Sequence, residues 1–139
     1  MLNSSEELYL NQEKFAQFEA IFHPKSVALV GASNNRMKDG TLFFGALLKS
    51  GFEGRVYPVN AGESEILGVR SYPKVSAIPD PVDYVIISVP ARFILEVLDD
   101  CAAKGVEAVQ IFTAGFREAG TDEGYWLEEE RPQIPGQSC

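Results

Sequence analysis

The stretch with the most chemistry per residue lies between Val30 and Thr41 and reads Gly31-Ala-Ser-Asn-Asn-Arg-Met-Lys-Asp-Gly40. Gly31 lets the backbone turn with no side chain in the way. Ser33 offers a hydroxyl, and Arg36 and Lys38 place two positive charges in a chain whose net charge is −8. A helix beginning at Thr41 would add free N–H groups and the positive end of its dipole. Amides, a hydroxyl and two cations in this order suit a pyrophosphate, and a nest of N–H groups can hold one even on an acidic protein. The plainer alternative is a strand-to-helix turn that binds nothing, since a short turn suffices for connection.

The other reactive residues are poorly placed for catalysis, and neither a catalytic residue nor a metal site is expected. Ser33 has no histidine partner, because the one histidine is His23, which precedes the first predicted strand and reads as a surface or satisfied loop residue. Cys101 follows Ile94, Val97 and Leu98 at helical spacing and reads as a buried structural thiol. Cys139 is terminal. Glu128-Glu-Glu130 reads as a solvated helix face, and Phe43 and Phe44 as core rather than a stacking platform.

The elements that must position the loop follow from the apolar pattern. Residues 4–22 predict an outer leader helix, capped by Ser4 or Ser5 and ended by Pro24, with an imperfect apolar face of Leu8, Phe15, Phe18, Ile21 and Phe22. Val27–Val30, Arg55–Val59, Asp83–Val89 and Val106–Phe112 predict four strands. The short, nearly continuous apolar runs among them are typical of a parallel sheet covered on both faces. Helices are predicted over Thr41–Lys49 and Ala91–Lys104, with Gly105 as a C-cap. Residues 60–72 predict a loop, and Lys74–Ile78 one helical turn. A further helix is predicted to start within 121–130, followed by an unstructured tail, Arg131–Cys139. Strand–helix alternation of this kind gives a doubly wound α/β domain, whose ligands lie beyond the carboxyl ends of the strands. Four segments converge there: Gly31–Gly40, Val59–Gly62, Ser88–Arg92 and Phe112–Phe116.

A nicotinamide dinucleotide meets two specific objections. The Gly-x-Gly-x-x-Gly fingerprint is absent, the matching stretch being Gly31-Ala-Ser-Asn-Asn-Arg36. The second strand ends Pro58-Val59-Asn60, without the acidic residue that takes the ribose hydroxyls.

Five blocks carry a family resemblance. Ser26-Val-Ala-Leu-Val-Gly-Ala-Ser33 with Lys38-Asp-Gly40, Gly54-Arg-Val-Tyr-Pro-Val-Asn60, Ile66-Leu-Gly68, Ile87-Ser-Val-Pro-Ala91 and Phe112-Thr-Ala-Gly-Phe116-Arg-Glu118 resemble, in order and spacing, the CoA-binding domain of the NDP-forming (ADP-forming) acyl-CoA synthetases. That family is related to the alpha subunit of succinyl-CoA synthetase. The resemblance covers roughly residues 20–120 and implies a Rossmann-like doubly wound parallel sheet in a single three-layer domain. It implies that Gly31, Ser33, Arg36 and Lys38 hold the CoA phosphates and that Val59 and Asn60 line the nucleotide site. Ser88, Val89 and Pro90 would wall the adenine and its ribose, and Phe112, Thr113, Ala114 and Gly115 would flank the pantetheine arm. The family often places Pro and a basic residue after the Asn60 position, where this chain has Ala61-Gly62-Glu63.

The same resemblance implies CoA or acyl-CoA as ligand and no catalysis by this domain alone. The synthetases pass a phosphoryl group through a histidine in a following domain and use an ATP-grasp domain to load it, so either domain is an implied partner. Bacterial protein lysine acyltransferases carrying this domain are a second implied parent. The expected organisation is a leader at 1–25, the CoA-binding domain at 26–120, and a partial helix with a tail at 121–139, read as a copy shortened at its C-terminus. A nicotinamide-nucleotide sensing module and a vestigial interaction domain remain the alternatives.

Composition sets the outer bounds. The chain has 139 residues, 45% apolar and 23% charged, which suits one soluble domain with a real core. Its 20 acidic against 12 basic residues leave no basic stripe for nucleic acid or an anionic membrane. No apolar run is longer than Tyr84–Ile87, which is far too short to span a bilayer. Two cysteines without metal spacing, and no secretory signal at the N-terminus, point to a reducing cytoplasm.

Overall fold

A computed structural model describes residues 3–113 of the chain. Helix α1 (Ser4–Phe22) is followed by strand β1 (Ser26–Val30), helix α2 (Asp39–Lys49) and strand β2 (Arg55–Val59). A two-strand hairpin, β3 (Glu65–Ile66) and β4 (Val69–Arg70), precedes a 3-10 turn at Val75–Ala77. Strand β5 (Tyr84–Ile87), a 3-10 turn at Ala91–Phe93, helix α3 (Ile94–Lys104) and strand β6 (Ala108–Ile111) complete the described chain.

The main sheet runs in the order β2-β1-β5-β6 and every pairing is parallel. The chain winds one way from β1 to β2 and the other way through β5 to β6, so the winding reverses between β1 and β5. This is the doubly wound parallel α/β architecture predicted from the strand–helix alternation. Side chains alternate between two cores. Ala28, Val30, Tyr57, Val59, Val85 and Ile87 pack with Ile94 and Cys101 of α3. Leu29, Ile66 and Ala32 pack with Phe44 of α2, and Phe43, Leu47, Val56 and Ile86 border them. Helices thus cover both faces, and β1 is buried along its whole length because it lies centrally under both.

Local departures from the predicted elements have identifiable causes. Asn3, not Ser4 or Ser5, caps α1: its Oδ1 accepts from the Ser5 and Glu6 amides at 3.1 and 2.9 Å, and Glu6 reaches back to the Asn3 amide, closing a capping box. Helix α2 begins at Asp39, two residues before the predicted Thr41, because Asp and Gly are tolerated in a first turn. The stretch expected to be loop, 60–72, contains the β3–β4 hairpin, turned by Leu67 at φ 49° and Gly68 at φ 81°. The last two strands are shorter than predicted. The segment at Ala91–Phe93 is a 3-10 turn and not the start of the α-helix. Gly105 ends α3 in the left-handed conformation, φ 82°, as a C-cap should.

Helix α1 contributes no buried residue. It leads into β1 at the foot of the sheet, where the Lys25 amide donates to Asp83 Oδ2 at 2.8 Å and Ser26 Oγ donates to the Pro81 carbonyl at 2.9 Å. None of the described helices is long and apolar enough to cross a membrane. The predicted helix within 121–130 and the tail beyond it lie outside the described residues.

Candidate functional site

The strand register creates the site. Val30 is level with Val59 on one side and with Ile87 on the other, and Ile87 is level with Ile111. All four strands therefore end in one row, and the next residues, Gly31, Asn60, Ser88 and Phe112, emerge side by side. The ladder runs one step further through Gly31 N–H to the Val59 carbonyl (3.2 Å), Ser88 N–H to Val30 (2.8 Å) and Phe112 N–H to Ile87 (2.8 Å). Beyond that row lies an open cleft of about 1030 Å³.

The first wall of the cleft is the turn after β1. Gly31 has φ 103°, and a Cβ there would stand 2.0 Å from the Ser88 carbonyl oxygen. Only glycine lets β1 turn so close under the β5 loop. Gly40 is as constrained from the other side: its Cβ would lie 2.5 Å from the Gly31 carbonyl oxygen, so the first turn of α2 rests directly on the turn it follows. No side chain caps α2; the Thr41 and Leu42 N–H groups donate to the Lys38 carbonyl at 3.0 Å each, which leaves the Asp39 and Gly40 N–H groups at the cleft rim without an acceptor. Ser33 is buried and knitted into the loop. Its amide donates to Thr41 Oγ1 (3.1 Å), Thr41 Oγ1 donates to the Ser33 carbonyl (2.9 Å), and Ser33 Oγ accepts from the Asn35 amide (3.1 Å).

The loop after β2 forms the second wall. Asn60 spends its side chain on architecture: Nδ2 donates to the Ala32 carbonyl at 2.9 Å, and Oδ1 accepts from the Gly62 and Glu63 amides at 2.8 and 3.2 Å. Asn34 does the same from the opposite loop, donating to the Glu65 carbonyl and accepting from the Leu67 amide. Glu63 accepts from the Asn34 amide at 3.0 Å. Glu63 thus fastens the loop after β2 to the first loop.

Ser88, Val89 and Pro90 after β5 make the third wall, with Phe93 beside them, and Ile111, Phe112 and Thr113 close the far side. Thr113 Oγ1 donates to the Val89 carbonyl at 2.8 Å, tying the β6 loop to the β5 loop. The Phe112 ring meets Phe43 edge-on at 4.8 Å between centroids. A second lobe of about 530 Å³ opens from Gly31 and Val89 toward β2 and is lined by Val30, Val59, Asn60, Val75 and Val97. The whole recess is therefore elongated, with a lobe under β2 lined by valines and by Lys74, Glu96 and Asp100, the glycine turn in the middle and an aromatic and hydroxyl rim at β6.

Of the residues singled out from the sequence, Gly31, Ser33, Lys38, Asn60, Ser88, Val89, Pro90, Phe112 and Thr113 line the cleft, and Val59 lines the adjoining lobe. Arg36 is exposed and does not line either cavity. Ala114 and Gly115 lie outside the described residues. Sequence reasoning missed Met37, Asp39, Gly40, Phe93 and Ile111 on the cleft wall. His23 lies at the foot of the sheet, the opposite end from the cleft, exposed and 3.1 Å from Glu19. Cys101 is buried, and burial pushes its thiol up to about 12, which keeps it protonated and unreactive. Phe44 is core, and Phe43 is half-buried against it.

A parallel doubly wound sheet with a glycine turn and an elongated recess at its winding reversal defines a nucleotide-binding class of domain. The family described as CoA binding domain matches residues 25–127, and the chain belongs to it. It is 46% identical over 116 residues to the alpha subunit of an ADP-forming acetate–CoA ligase I of Pyrococcus furiosus, covering 81% of this chain and 25% of that one. An ADP-forming acetate–CoA ligase II of Archaeoglobus fulgidus is 44% identical over 100 residues, covering 72% of this chain and 15% of its own length. Among solved structures, the dinucleotide-forming acetyl-coenzyme A synthetase 1 of Ca. Korarchaeum cryptofilum, in complex with phosphate and ADP, superposes with a TM-score of 0.76. It is 44% identical and covers 81% of this chain and 24% of its own. The chain thus spans a quarter or less of the length of these relatives. It is homologous to the CoA-binding domain of ADP-forming acyl-CoA synthetases.

Proposed function

We propose that the domain binds CoA or acyl-CoA along the recess and presents the thiol arm at the β6 end. The observation that carries this reading is the shape of the recess around Gly31. A central turn without side chains can take a pyrophosphate on backbone amides, and Lys38 at the rim supplies a charge. Ser88, Val89 and Pro90 wall the adenine and its ribose in this reading, and Val59, in the lobe that Val89 also lines, borders the nucleotide on the β2 side. The rim of Phe112 and Thr113 suits a thin amide-bearing arm, and Ala114 and Gly115 belong to the same proposal. Asn60 and Ser33 act here as positioning residues, because their side chains are already committed to the two loops.

The domain alone performs no chemistry in this reading. The described site holds no histidine, and Ser33 has no base beside it. In a larger assembly it would offer the CoA thiol to an acyl phosphate made elsewhere, with an ATP-grasp domain or a phosphohistidine-bearing domain as partner. A leader at 1–25, a binding unit at 26–120 and a cytoplasmic setting belong to the same proposal, the last supported by a free buried cysteine.

Titration calorimetry with CoA, dephospho-CoA and NAD tests it. CoA should bind and NAD should not, and Lys38→Ala should weaken CoA roughly tenfold, the worth of one charge-assisted hydrogen bond. Arg36→Ala should weaken it less, since Arg36 lies off the cleft wall. Binding of NAD in preference to CoA would overturn the reading. Absence of heat with all three, on folded protein, would favour a vestigial interaction domain.

A further inference from the structure

Helix α1 exposes more large apolar surface than any other described element. Phe15 and Phe22 are 70% and 71% exposed, Leu8 and Phe18 are also exposed, and no residue of the helix is buried. The spacing of these residues is not random. Leu8, Phe15 and Phe22 recur every seven residues, and Asn11 and Phe18 fall three residues after the first two, which are the a and d positions of a heptad. The small residues Ala16 and Ala20, with Glu13, lie about 150° away round the helix. With Gln17 and Glu19 at its edge, they border the gap against Asp83 and Glu107 at the foot of the sheet, where Glu19 also lies 3.1 Å from His23. The apolar seam therefore points away from the body of the domain. Only its last turn, at Ile21 and Phe22, borders a second gap beside Leu47 and Phe52.

We infer that α1 pairs with α1 of a second copy of this chain as a short parallel two-stranded coiled coil. Two observations select this occupant over an unrelated helix. The positions flanking the seam are self-complementary: Lys14 falls at g and Glu19 at e, so in a parallel pair each Lys14 meets the partner's Glu19. Asn11, the one polar seam residue, meets its own copy when the helices run parallel and in register, where the two amides can bond. An antiparallel pair would set it against phenylalanine. Four apolar side chains hiding roughly 100–150 Å² each amount to about 1,000 Å² over both helices, the size of a weak, reversible interface.

Sedimentation equilibrium on the 139-residue protein from about 10 µM to about 1 mM tests the pairing. The mass should climb from monomer toward dimer. Phe15→Glu with Phe18→Glu should stay monomeric throughout with an unchanged melting curve, because neither side chain belongs to the core. Lys14→Glu should weaken the dimer about fivefold, and Lys14→Glu with Glu19→Lys should restore it to within about twofold. A monomer at every concentration, a dimer indifferent to the two glutamates, or a double charge swap that fails to restore association would each overturn the inference. The outcome is independent of whether CoA binds.

Discussion

Gly31 and Gly40 are the residues on which the geometry of the cleft turns. Each brings a piece of backbone within a distance that a methyl group would forbid, and Gly31 also takes a positive φ that a side chain disfavours. Gly31→Ala is therefore expected to cost about 3 kcal/mol, combining backbone strain with a clash against the Ser88 carbonyl. Thermal unfolding should report a drop in Tm of roughly 10 °C or more. Retention of both Tm and ligand binding would mean that the turn is not built as described. Gly31 was legible in the sequence because a glycine that stops a buried apolar run has few other uses. Gly40 was not, since its contact is with a carbonyl nine residues earlier that only the crossover brings near. The two cations separate in the same way. Their types and spacing looked equivalent, but a loop held by Ser33, Asn35 and Thr41 carries Lys38 to the cleft and leaves Arg36 outside it.

At the scale of elements, the four-strand row sets where the loops begin, and two asparagines set where they go. Asn60 and Asn34 lace the turn after β1 to the loop and hairpin after β2, so the two walls of the recess are tied together. Asn60→Ala removes one donor and one doubly used acceptor. Hydrogen exchange should then reveal the Gly62 and Glu63 amides, while Asn60→Asp, which keeps the acceptor, should leave them protected. Equal exchange in both variants would show that the side chain does not hold this loop. The hairpin itself escaped prediction because its strands are two residues each, too short for any alternation to register. The long elements were legible: β1 by its continuous burial, α3 by its apolar spacing and its glycine cap.

For the molecule as a whole, stability rests on two cores that share one sheet, and Cys101 in the α3 core couples that stability to pH. Its folded thiol is pushed up to about 12 from an ordinary 9.0, first by burial and then by the nearby Asp100 carboxylate. Above pH 9 the unfolded chain gives up this proton before the folded one does. The contribution is fully present below that pH and disappears as the pH climbs toward 12. Urea unfolding at and above pH 9 should show falling stability, with a shallower slope in Cys101→Ala once that variant's own cavity cost is subtracted. Tyr57, raised by burial and by its bond to Asp80, acts in the same direction and accounts for part of the remaining slope. An equal slope in both proteins would remove Cys101 from the explanation.

The amino-acid sequence alone determined the alternation of strands and helices, the doubly wound class and the family, because these depend on local apolar periodicity and on short blocks in fixed order. It also determined which loops converge, since parallel strands must deliver their carboxyl ends to one edge. The tertiary structure decided which side chains of those loops remain available to a ligand. Asn60, Ser33 and Glu63 are polar residues in the right segments, and each is already engaged by a hydrogen bond to a partner distant in sequence or folded back on its own turn. Hydrogen-bonding capacity is finite, and how it is spent depends on neighbours that only the folded chain brings together. The same holds for α1, whose apolar pattern was readable throughout but whose exposure could be known only once the rest of the described chain proved to leave it uncovered.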